Sequence, residues 1–565
     1  MSVSHSSPAK PLMAPLFVLI GLAVAVLAWT LPANLKSVSP ALLREAGAGT
    51  PSLAGFGRQL VESEKIGPAA LVLGAAQAVQ DPGAAQLEPM LKDLGAKEPD
   101  MVAWGGWDPF LDPLFKLHEN TGHATSTPVL TFLLPEKARE SLRAYLANSR
   151  SLGVQAVLRT RGITTTGRFV PATQPGGQPL DAVIQLTALL YQGEHLSPAL
   201  QREIRGLADT ANAQGSLGEL EPFYLDLLSL GRRLDWIQLT ELLRRTENTK
   251  TVGEYAHLAR LAPERLPLIY TAALFSNSAD RVANYVIEYG QHGLEDVQTA
   301  LGYGQGAVQA LMERQVPINR SAASGLGTAA ALVLLHPWVM LVLKYAGYLL
   351  GAFLLFRGLD RWIVGPGMGF GFGHLKSGAL ALLFAALFVV STEPFLLRAA
   401  PPSEFRIRLV LPALVTTSAT PAQSTDRTIH TMDSSTLISI AVFAALQVAM
   451  YFTCLLKIRE IARAPVPPAI KLRLMENEEN LFDGGLYVGI AGTASALVLQ
   501  VLGIIEPNLL AAYSSNLFGI TCVAMVKIRS VRPYKRQLIL ESQAVTAVPP
   551  SAIPTGSTGG APVTS

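Results

Sequence analysis

Cysteine is almost absent from this chain: its 565 residues include two, Cys454 and Cys522, and both lie in strongly apolar stretches. The polar part of the chain therefore contains no disulfide and must be stabilised by its own packed core, even if it lies outside the cytoplasm. Charged residues are also scarce, at 15% of the chain, whereas hydrophobic residues make up 49%. This balance is typical of a protein that combines membrane-spanning helices with a soluble domain.

Motifs of catalysis and cofactor binding are missing as well. There is no Gly-x-Ser-x-Gly elbow, no Cys-x-x-Cys pair and no Gly-x-Gly-x-x-Gly fingerprint. His118, Glu119 and His123 resemble a zinc-binding helix, but the histidines are five residues apart rather than four. The glycine run Gly365–Gly373 lacks the Gly-Lys-Ser/Thr ending of a phosphate-binding loop. We therefore predict no catalytic residue, no metal, no cofactor and no enzymatic activity.

The main feature of the chain is a series of long apolar runs, and the central run is Leu326–Phe356. About 20 apolar residues cross a bilayer as a helix. The sequence predicts a mainly α-helical protein with six spans and a large, mostly helical extracytoplasmic domain, residues 34–320, between the first two spans. The predicted spans are residues 11–31, 336–356 (after an outer extension that begins at residue 321), 377–397, 435–456, 484–505 and 509–526.

The segments between these spans differ in composition. Residues 357–376 form a glycine-rich loop, residues 398–434 a polar loop that includes the strand-like run EFRIRLVL, and residues 457–483 a charged loop. The first apolar run fits either a cleaved signal peptide or an uncleaved anchor. It is longer than a usual signal core, and no small-x-small cleavage site follows it, so we favour the anchor. The tail from about Ser542 is rich in Pro, Ser, Thr and Gly and is predicted to be disordered.

Short patterns predict where helices of the 34–320 domain begin. Ser197 followed by Pro198, Asp235 and Ser278 each precede a helical run, and Thr251 with Glu254 fits a capping box. Residues 155–169 carry β-branched side chains and predict a short hairpin. The segment WGGWDP after Ala103 fits a ligand loop or, more simply, two packed tryptophans that close a turn.

The distribution of Lys and Arg predicts the orientation. Basic residues cluster in residues 457–473 and 527–536, which should therefore face the cytoplasm. Six spans then place both termini inside and the large domain outside. Arg398, Arg406 and Arg408 are the exceptions. The lack of disulfides and of sorting signals favours a bacterial inner membrane. A net charge of +3 is too small to indicate a nucleic-acid partner.

Ionisable residues inside spans are functional candidates because a charge in the bilayer is costly. Lys344 and Glu393 lie in the outer halves of neighbouring spans and could form an ion pair or part of a proton path. The alternative is that Lys344 extends toward the surface and that Glu393 simply ends its span.

The last two spans carry small and polar residues. Gly489, Gly492 and Thr493 are followed by Ser515, Asn516 and Gly519, a pattern that fits close helix packing with cross-helix hydrogen bonds. It also resembles the paired C-terminal spans of the MotA/TolQ/ExbB proton-channel family, with G-x-x-G-T before A-L-x-T-T-x-x-G. That resemblance implies a proton path lined by Thr493, Ser515 and Asn516. The family's proline and long cytoplasmic loop are missing here.

Interaction is the leading functional prediction: a subunit or scaffold of an envelope complex, in the lipid bilayer, whose outer domain binds a protein partner. An ion-conducting subunit is the second hypothesis and would require several copies in a ring. A small-molecule transporter is the third, although the paired, interrupted spans of many transporters are not present.

Overall fold

The computed structural model describes residues 13–115, 125–320, 327–363, 370–396, 434–501 and 509–546. Within these ranges the protein is mainly α-helical. Its β-structure there consists of two isolated bridges, Val38 with Ile318 and Thr165 with Ser216. The predicted hairpin at residues 155–169 is wrong, because Leu152–Arg159 is an α-helix that continues into the 3₁₀ turn Thr160–Gly162. The buried side chains of Val154 and Val157 explain why: this segment packs one helical face into the core.

The chain divides into two compact units. One, here called the helical domain, contains Thr30–Val342. The other, here called the apolar unit, contains Met1–Trp29, Leu343–Ala399 and Ser424–Ser565.

Short helices make up the first half of the helical domain. They are α2 Pro40–Gly47, α3 Leu53–Glu62, α4 Ile66–Val79, α5 Ala84–Lys97, α6 Pro99–Trp104, α7 Asp112–Phe115, α8 Val129–Leu133, α9 Glu136–Ala147 and α10 Leu152–Arg159. The second half continues with α11 Gln178–Gln192, α12 Pro198–Gln214, α13 Leu220–Gly231, α14 Trp236–Leu243, α15 Thr249–Leu261, α16 Leu266–Ser276, α17 Ala279–Tyr303, α18 Gln305–Arg314 and α19 Gly327–Leu335.

Side-chain caps set several of these helix starts, as the sequence predicts. Ser197 accepts from the N–H of Leu200, with Pro198 at the first helical position. Asp235 and Gln238 form a reciprocal capping box at α14. The capping box predicted at Thr251 is wrong: the helix begins two residues earlier, and Asn248 is its cap, accepting from the N–H of Thr251 at 2.8 Å.

One large core occupies most of the helical domain, and Ile66, Met101 and Val102 form a small separate cluster. Helices α11 and α16 are buried on nearly every side, so they lie in its interior rather than on its surface. Tyr224, Tyr255 and Tyr270 are fully buried within it. The longest helix of this domain, α17, bends at Gly290, whose φ of 58° and ψ of −134° form a combination that only glycine adopts readily.

The apolar unit contains the remaining helices. They are α1 Met13–Thr30, α20 Pro337–Ile363, α21 Phe370–Thr392, α22 Ser434–Arg463, α23 Pro468–Asn477, α24 Glu479–Phe482, α25 Gly484–Val501, α26 Leu509–Val526 and α27 Arg532–Thr546. The boundary between the units falls within two helices: Thr30, the last residue of α1, and residues 337–342, the start of α20, are counted with the helical domain. Glycines allow close approach between α1 and α20, since a Cβ at Gly21 or Gly351 would overlap with the facing backbone.

Helices occupy most of each of the six stretches that the sequence predicts to cross a membrane. Among the described residues one helix, Pro337–Trp362, is long and apolar enough to cross by itself, with 26 residues and a mean hydropathy of 1.9. Ala14–Thr30 and Ser377–Val390 are apolar but shorter. Six spans therefore stay a prediction.

Candidate functional site

A polar cavity of about 690 Å³ opens on the helical domain. Helix α9 contributes Glu136, Arg139, Glu140 and Arg143 to its wall, which the spacing of three and four residues places on one helical face. The other walls come from Arg161 in the 3₁₀ turn, from residues 172–175 in the following loop, and from the first turn of α11. We call this cavity the arginine pocket.

Three guanidinium groups converge on one carboxylate at the inner end of the arginine pocket. Asp181 Oδ2 lies 2.9 Å from Nε of Arg139 and 3.4 Å from Nη2 of Arg143. Its Oδ1 accepts from Nε of Arg161 at 2.8 Å and from Nε2 of Gln185 at 3.0 Å. Burial raises the pKa of Asp181, but these donors outweigh it and hold the pKa below its ordinary value. Asp181 is therefore a carboxylate.

The four donors saturate the acceptor positions of Asp181, because an ionised carboxylate offers about four lone-pair sites. The arginines still carry N–H groups beyond these bonds. Arg139 directs Nη1 to the carbonyl of Leu134. Nε of Arg143 is buried and has no hydrogen-bond partner among the described residues. That nitrogen is out of reach of a ligand, whereas the Arg143 side chain as a whole is 38% exposed and lines the cavity, so its remaining N–H groups are available to an acceptor that a ligand supplies.

The loop that forms one wall is held by Glu221 of α13. The Glu221 carboxylate accepts from the backbone N–H groups of Gly167, Arg168 and Phe169 at 2.8, 2.5 and 3.0 Å. Burial raises the pKa of Glu221, and the three backbone bonds lower it further than burial raises it. The loop therefore enters the pocket on a fixed path.

Sequence reasoning missed the arginine pocket, although two signals were present. Asp181 is a lone charge in the apolar helix α11 and so requires a partner. Arg139 and Arg143 are four residues apart, so they lie on one face of α9, and Arg139 is only 5% exposed. No sequence pattern predicts that α9, the 3₁₀ turn and α11 meet at one carboxylate.

A second cluster provides a comparison. Glu241 on α14, which is 4% exposed, contacts Nζ of Lys65 at 2.8 Å and Nη1 of Arg245 at 2.6 Å. Arg244 lies 3.5 Å away through Nη1. None of these residues lines the arginine pocket. Several cations around one buried carboxylate can thus be purely structural, and it is the cavity that sets the Asp181 cluster apart.

The segment WGGWDP does not contain the pair of packed tryptophans that the sequence predicts most simply. Trp104 stacks on Phe132, with ring centroids 4.0 Å apart, whereas Trp107 is 39% exposed, so the pair does not pack together as expected. Its functional-looking residue is Asp108, which accepts from the indole N–H of Trp236 at 2.6 Å. His195 Nε2 lies 3.1 Å from the same oxygen, at an angle that is poor for a hydrogen bond.

Arg244 donates to the other ring nitrogen of His195 at 2.7 Å, which leaves the ring proton on Nε2, facing Asp108. Phe110 and Trp236 pack edge-on against the imidazole. Asp108 and His195 are 4% and 3% exposed. This enclosure gives no room for a substrate, so the cluster ties α11, α14 and the WGGWDP segment together.

Lys344 and Glu393, the predicted intramembrane candidates, lie together within the apolar unit. Both are buried, and Nζ of Lys344 is 3.9 Å from Oε1 of Glu393. Tyr345 donates its hydroxyl to the same oxygen. Lys344 also lies over the ring of Tyr348, 6.0 Å from its centroid. The geometry is that of an ion pair; a proton path through it stays a prediction.

Thr493, Ser515 and Asn516, the other predicted candidates, lie where α25 packs against α26. Ser515 donates across the helices to the carbonyl of Gly489 at 3.3 Å, while Thr493 donates to the same carbonyl within its own helix at 3.0 Å. Glycine permits this proximity, since a Cβ at Gly492 would overlap with Ser515 Oγ.

A third helix adds a residue that the sequence analysis did not single out. Gln447 on α22 donates to the carbonyl of Gly485 at 3.0 Å. Gln447 Oε1 and Asn516 Oδ1 are buried and have no hydrogen-bond partner within the described ranges. We call Gln447, Ser515 and Asn516 the polar seam.

The remaining sequence motifs give no site. His118, Glu119 and His123 lie outside the described residues, as does most of the glycine run from Gly365, whose last residues belong to α21. Among the residues that the structure describes, no group of three His, Cys, Asp or Glu side chains could hold a metal ion.

No protein-family model, curated protein or solved structure matches this chain. The likeness to the MotA/TolQ/ExbB spans therefore rests on the quoted residues alone. The function has to be argued from the sites themselves.

Proposed function

We propose that this protein is a membrane-attached interaction subunit of an envelope complex, and that its helical domain binds the partner at the arginine pocket. The observation that carries the proposal is the convergence of Arg139, Arg143 and Arg161 on the single carboxylate of Asp181 in a cavity of about 690 Å³. A concave site with a few convergent polar groups is the usual form of a binding site.

The rim of the pocket supports binding of a partner rather than catalysis. Leu134 lines the cavity and is 41% exposed, and Val170 is exposed on the adjoining loop. Arginine at the centre of a patch with apolar neighbours is a common arrangement at protein–protein interfaces. The pocket pairs no nucleophile with a general base, so we propose no enzymatic activity.

Membrane attachment is part of the same proposal. We propose six spans in a bacterial inner membrane, with both termini in the cytoplasm and the helical domain outside. The helix Pro337–Trp362 and the exposed basic residues Arg529, Arg532 and Arg536 after α26 support this arrangement.

Site-specific photocrosslinking in cells tests the interaction. A photoreactive amino acid replaces Thr173, an exposed residue of the pocket wall, or Thr210, an exposed residue of α12 outside the pocket. We expect one adduct of defined mass from position 173, none from position 210, and loss of the adduct when Arg143→Gln is added. An adduct of the same mass from both positions, or none from position 173, would contradict the proposal.

Ion conduction is the second candidate, and the polar seam favours it. The amide oxygens of Gln447 and Asn516 are buried and have no hydrogen-bond partner among the residues that the structure describes, which is costly in an apolar helix cluster unless water, an ion or another copy of the chain satisfies them. The test is proton flux into liposomes that contain the purified chain. Conduction predicts flux that Asn516→Leu abolishes and that Thr521→Val, on the exposed face of α26, leaves intact.

A further inference from the structure

The charges of the arginine pocket point to the chemistry of its ligand. We infer that the pocket binds a compact oxyanion, a phosphate monoester or a carboxylate, that is attached to a neutral or cationic body. The inference rests on the proposed function, since it names what the partner presents at the same pocket.

The first argument is charge. At the inner end, three guanidinium groups face one carboxylate, which leaves an excess of two positive charges beside Asp181. Glu136 and Glu140 line the outer part of the cavity and are exposed. Neither glutamate lies within ion-pairing distance of a cation among the described residues, so they do not neutralise the inner arginines directly.

Hydrogen bonding gives the second argument. Asp181 already accepts from four donors, so it has no free acceptor position for the remaining N–H groups. The Arg143 side chain lines the cavity and is 38% exposed, so its remaining N–H groups are available to a ligand there. Carboxylate and phosphate oxygens match the fork of a guanidinium, and such charge-assisted bonds are about twice as strong as neutral ones.

The rim decides what the oxyanion is attached to. A nucleic acid or a polyphosphate would bring further negative charges against Glu136 and Glu140, which repel them. An ammonium group or hydroxyl groups would instead be favourable there, and Thr173, Gln174 and Gln178 offer neutral hydrogen-bond partners. A volume of about 690 Å³ suits a small molecule, a chain terminus or one modified side chain rather than a polymer.

The test uses the full-length chain, purified in detergent. Its thermal unfolding is followed by tryptophan fluorescence; of the six tryptophans, Trp104 and Trp236 are buried in the helical domain and report on its unfolding. The probes are inorganic phosphate, O-phosphoethanolamine, γ-aminobutyrate and tripolyphosphate, each compared with chloride at the same ionic strength. A ligand that binds only the folded state raises the unfolding midpoint in a saturable way.

We expect phosphoethanolamine, if the oxyanion is a phosphate, or aminobutyrate, if it is a carboxylate, to raise the midpoint at lower concentration than tripolyphosphate. Arg143→Gln should weaken binding about tenfold, since one charge-assisted contact is lost. Glu140→Gln should strengthen binding of inorganic phosphate about twofold to threefold, because a nearby negative charge is removed. Arg205→Gln, which removes an exposed arginine of α12, is the matched control and should change nothing.

Three results would overturn the inference: no oxyanion effect beyond that of chloride, tightest binding of tripolyphosphate, or binding that both pocket variants leave unchanged. Glu140→Gln keeps the test decisive if Arg143→Gln does not fold, because Glu140 is exposed and makes no described ion pair. The two proposals fail separately. An adduct at position 173 without oxyanion binding removes only this inference, and oxyanion binding without an adduct removes only the interaction.

Discussion

The indole N–H of Trp236 donates to Oδ2 of Asp108 at 2.6 Å, although 128 residues separate the two. This bond joins the WGGWDP segment to the start of α14. It also explains the aspartate in that segment, because the same oxygen, Oδ2 of Asp108, lies 3.1 Å from Nε2 of His195 as well. Both side chains are buried, so the contact is a stabilising one that can be tested by changing either the charge or the pH.

Asp108→Asn should destabilise the helical domain mainly at neutral pH. Burial raises the pKa of Asp108, but His195, the indole of Trp236 and the N–H of Phe110 together lower it to about 2, from 3.8. A lowered pKa means that the stabilisation is present above about pH 4 and is lost as the pH falls towards 2. The shift corresponds to about 2 kcal/mol at pH 7.

Denaturant unfolding of Asp108→Asn and the parent, between pH 2 and 7, checks this expectation. Asp209→Asn, which changes an exposed carboxylate on α12, is the control. A free energy difference that stays constant down to pH 2 would show that the charge of Asp108 contributes nothing.

Asp235→Asn should have the opposite pH dependence. Complete burial raises the pKa of Asp235 to about 7, and the bonds from Gln238 and Ser126 offset only part of that effect. The folded state then binds a proton more tightly than the unfolded chain, so stability is highest below about pH 4 and falls as the pH rises towards 7. Asparagine has no charge to desolvate and can still accept from the N–H of Gln238.

The variant should therefore be more stable than the parent at pH 8, by about 1 to 3 kcal/mol, and nearly equal to it at pH 4. Thermal unfolding midpoints at the two pH values measure the difference. Asp235→Ala is the control: it removes the helix cap as well as the charge, so it should be about 1 kcal/mol less stable than Asp235→Asn at either pH. An asparagine variant that is less stable at pH 8 would refute the raised pKa.

Gly105→Ala should be severely destabilising. Gly105 has a φ of +83°, and a Cβ there would overlap with the carboxylate of Asp235. Gly49 has a similar φ of +74° but open space around it. We expect Gly49→Ala to cost about 1 kcal/mol through backbone strain alone, and Gly105→Ala at least about 3 kcal/mol because steric overlap is added. Equal losses in the free energy of unfolding would mean that Asp235 moves aside.

The effects of substituting Lys344 and Glu393 on stability should depend on each other. Removing one partner of a buried pair leaves an uncompensated charge, whereas removing both is often tolerated. Lys344→Met and Glu393→Gln should each lower the unfolding midpoint in detergent, and the double variant should recover much of the loss. Additive effects of the two substitutions would show that the residues are not coupled, whatever the 3.9 Å separation suggests.

A role for this pair in proton movement predicts more than stability. In liposomes, the double variant would then lose flux while keeping its fold. A folded double variant with unchanged flux would leave Lys344 and Glu393 with a purely structural role.

Much of the architecture follows from the sequence itself. Apolar periodicity and local capping chemistry predict helices, because both depend on residues within a few positions of each other. The starts at Ser197, Asp235 and Ser278 were predictable for that reason. Composition likewise separates an apolar part of the chain from a polar one, and charge inside an apolar run singled out Lys344 and Glu393.

Only the tertiary structure decided the contacts between elements that are far apart in the sequence. The β-branched residues after Gln155 favour a hairpin locally, but burial of Val154 and Val157 against the core makes the segment helical. The arginine pocket is the clearest case. Arg139, Arg161 and Asp181 lie on three different elements. A buried carboxylate in the sequence predicts only that some cation pairs with it. Which cations do so, and whether a cavity is left beside them, is set by helix packing.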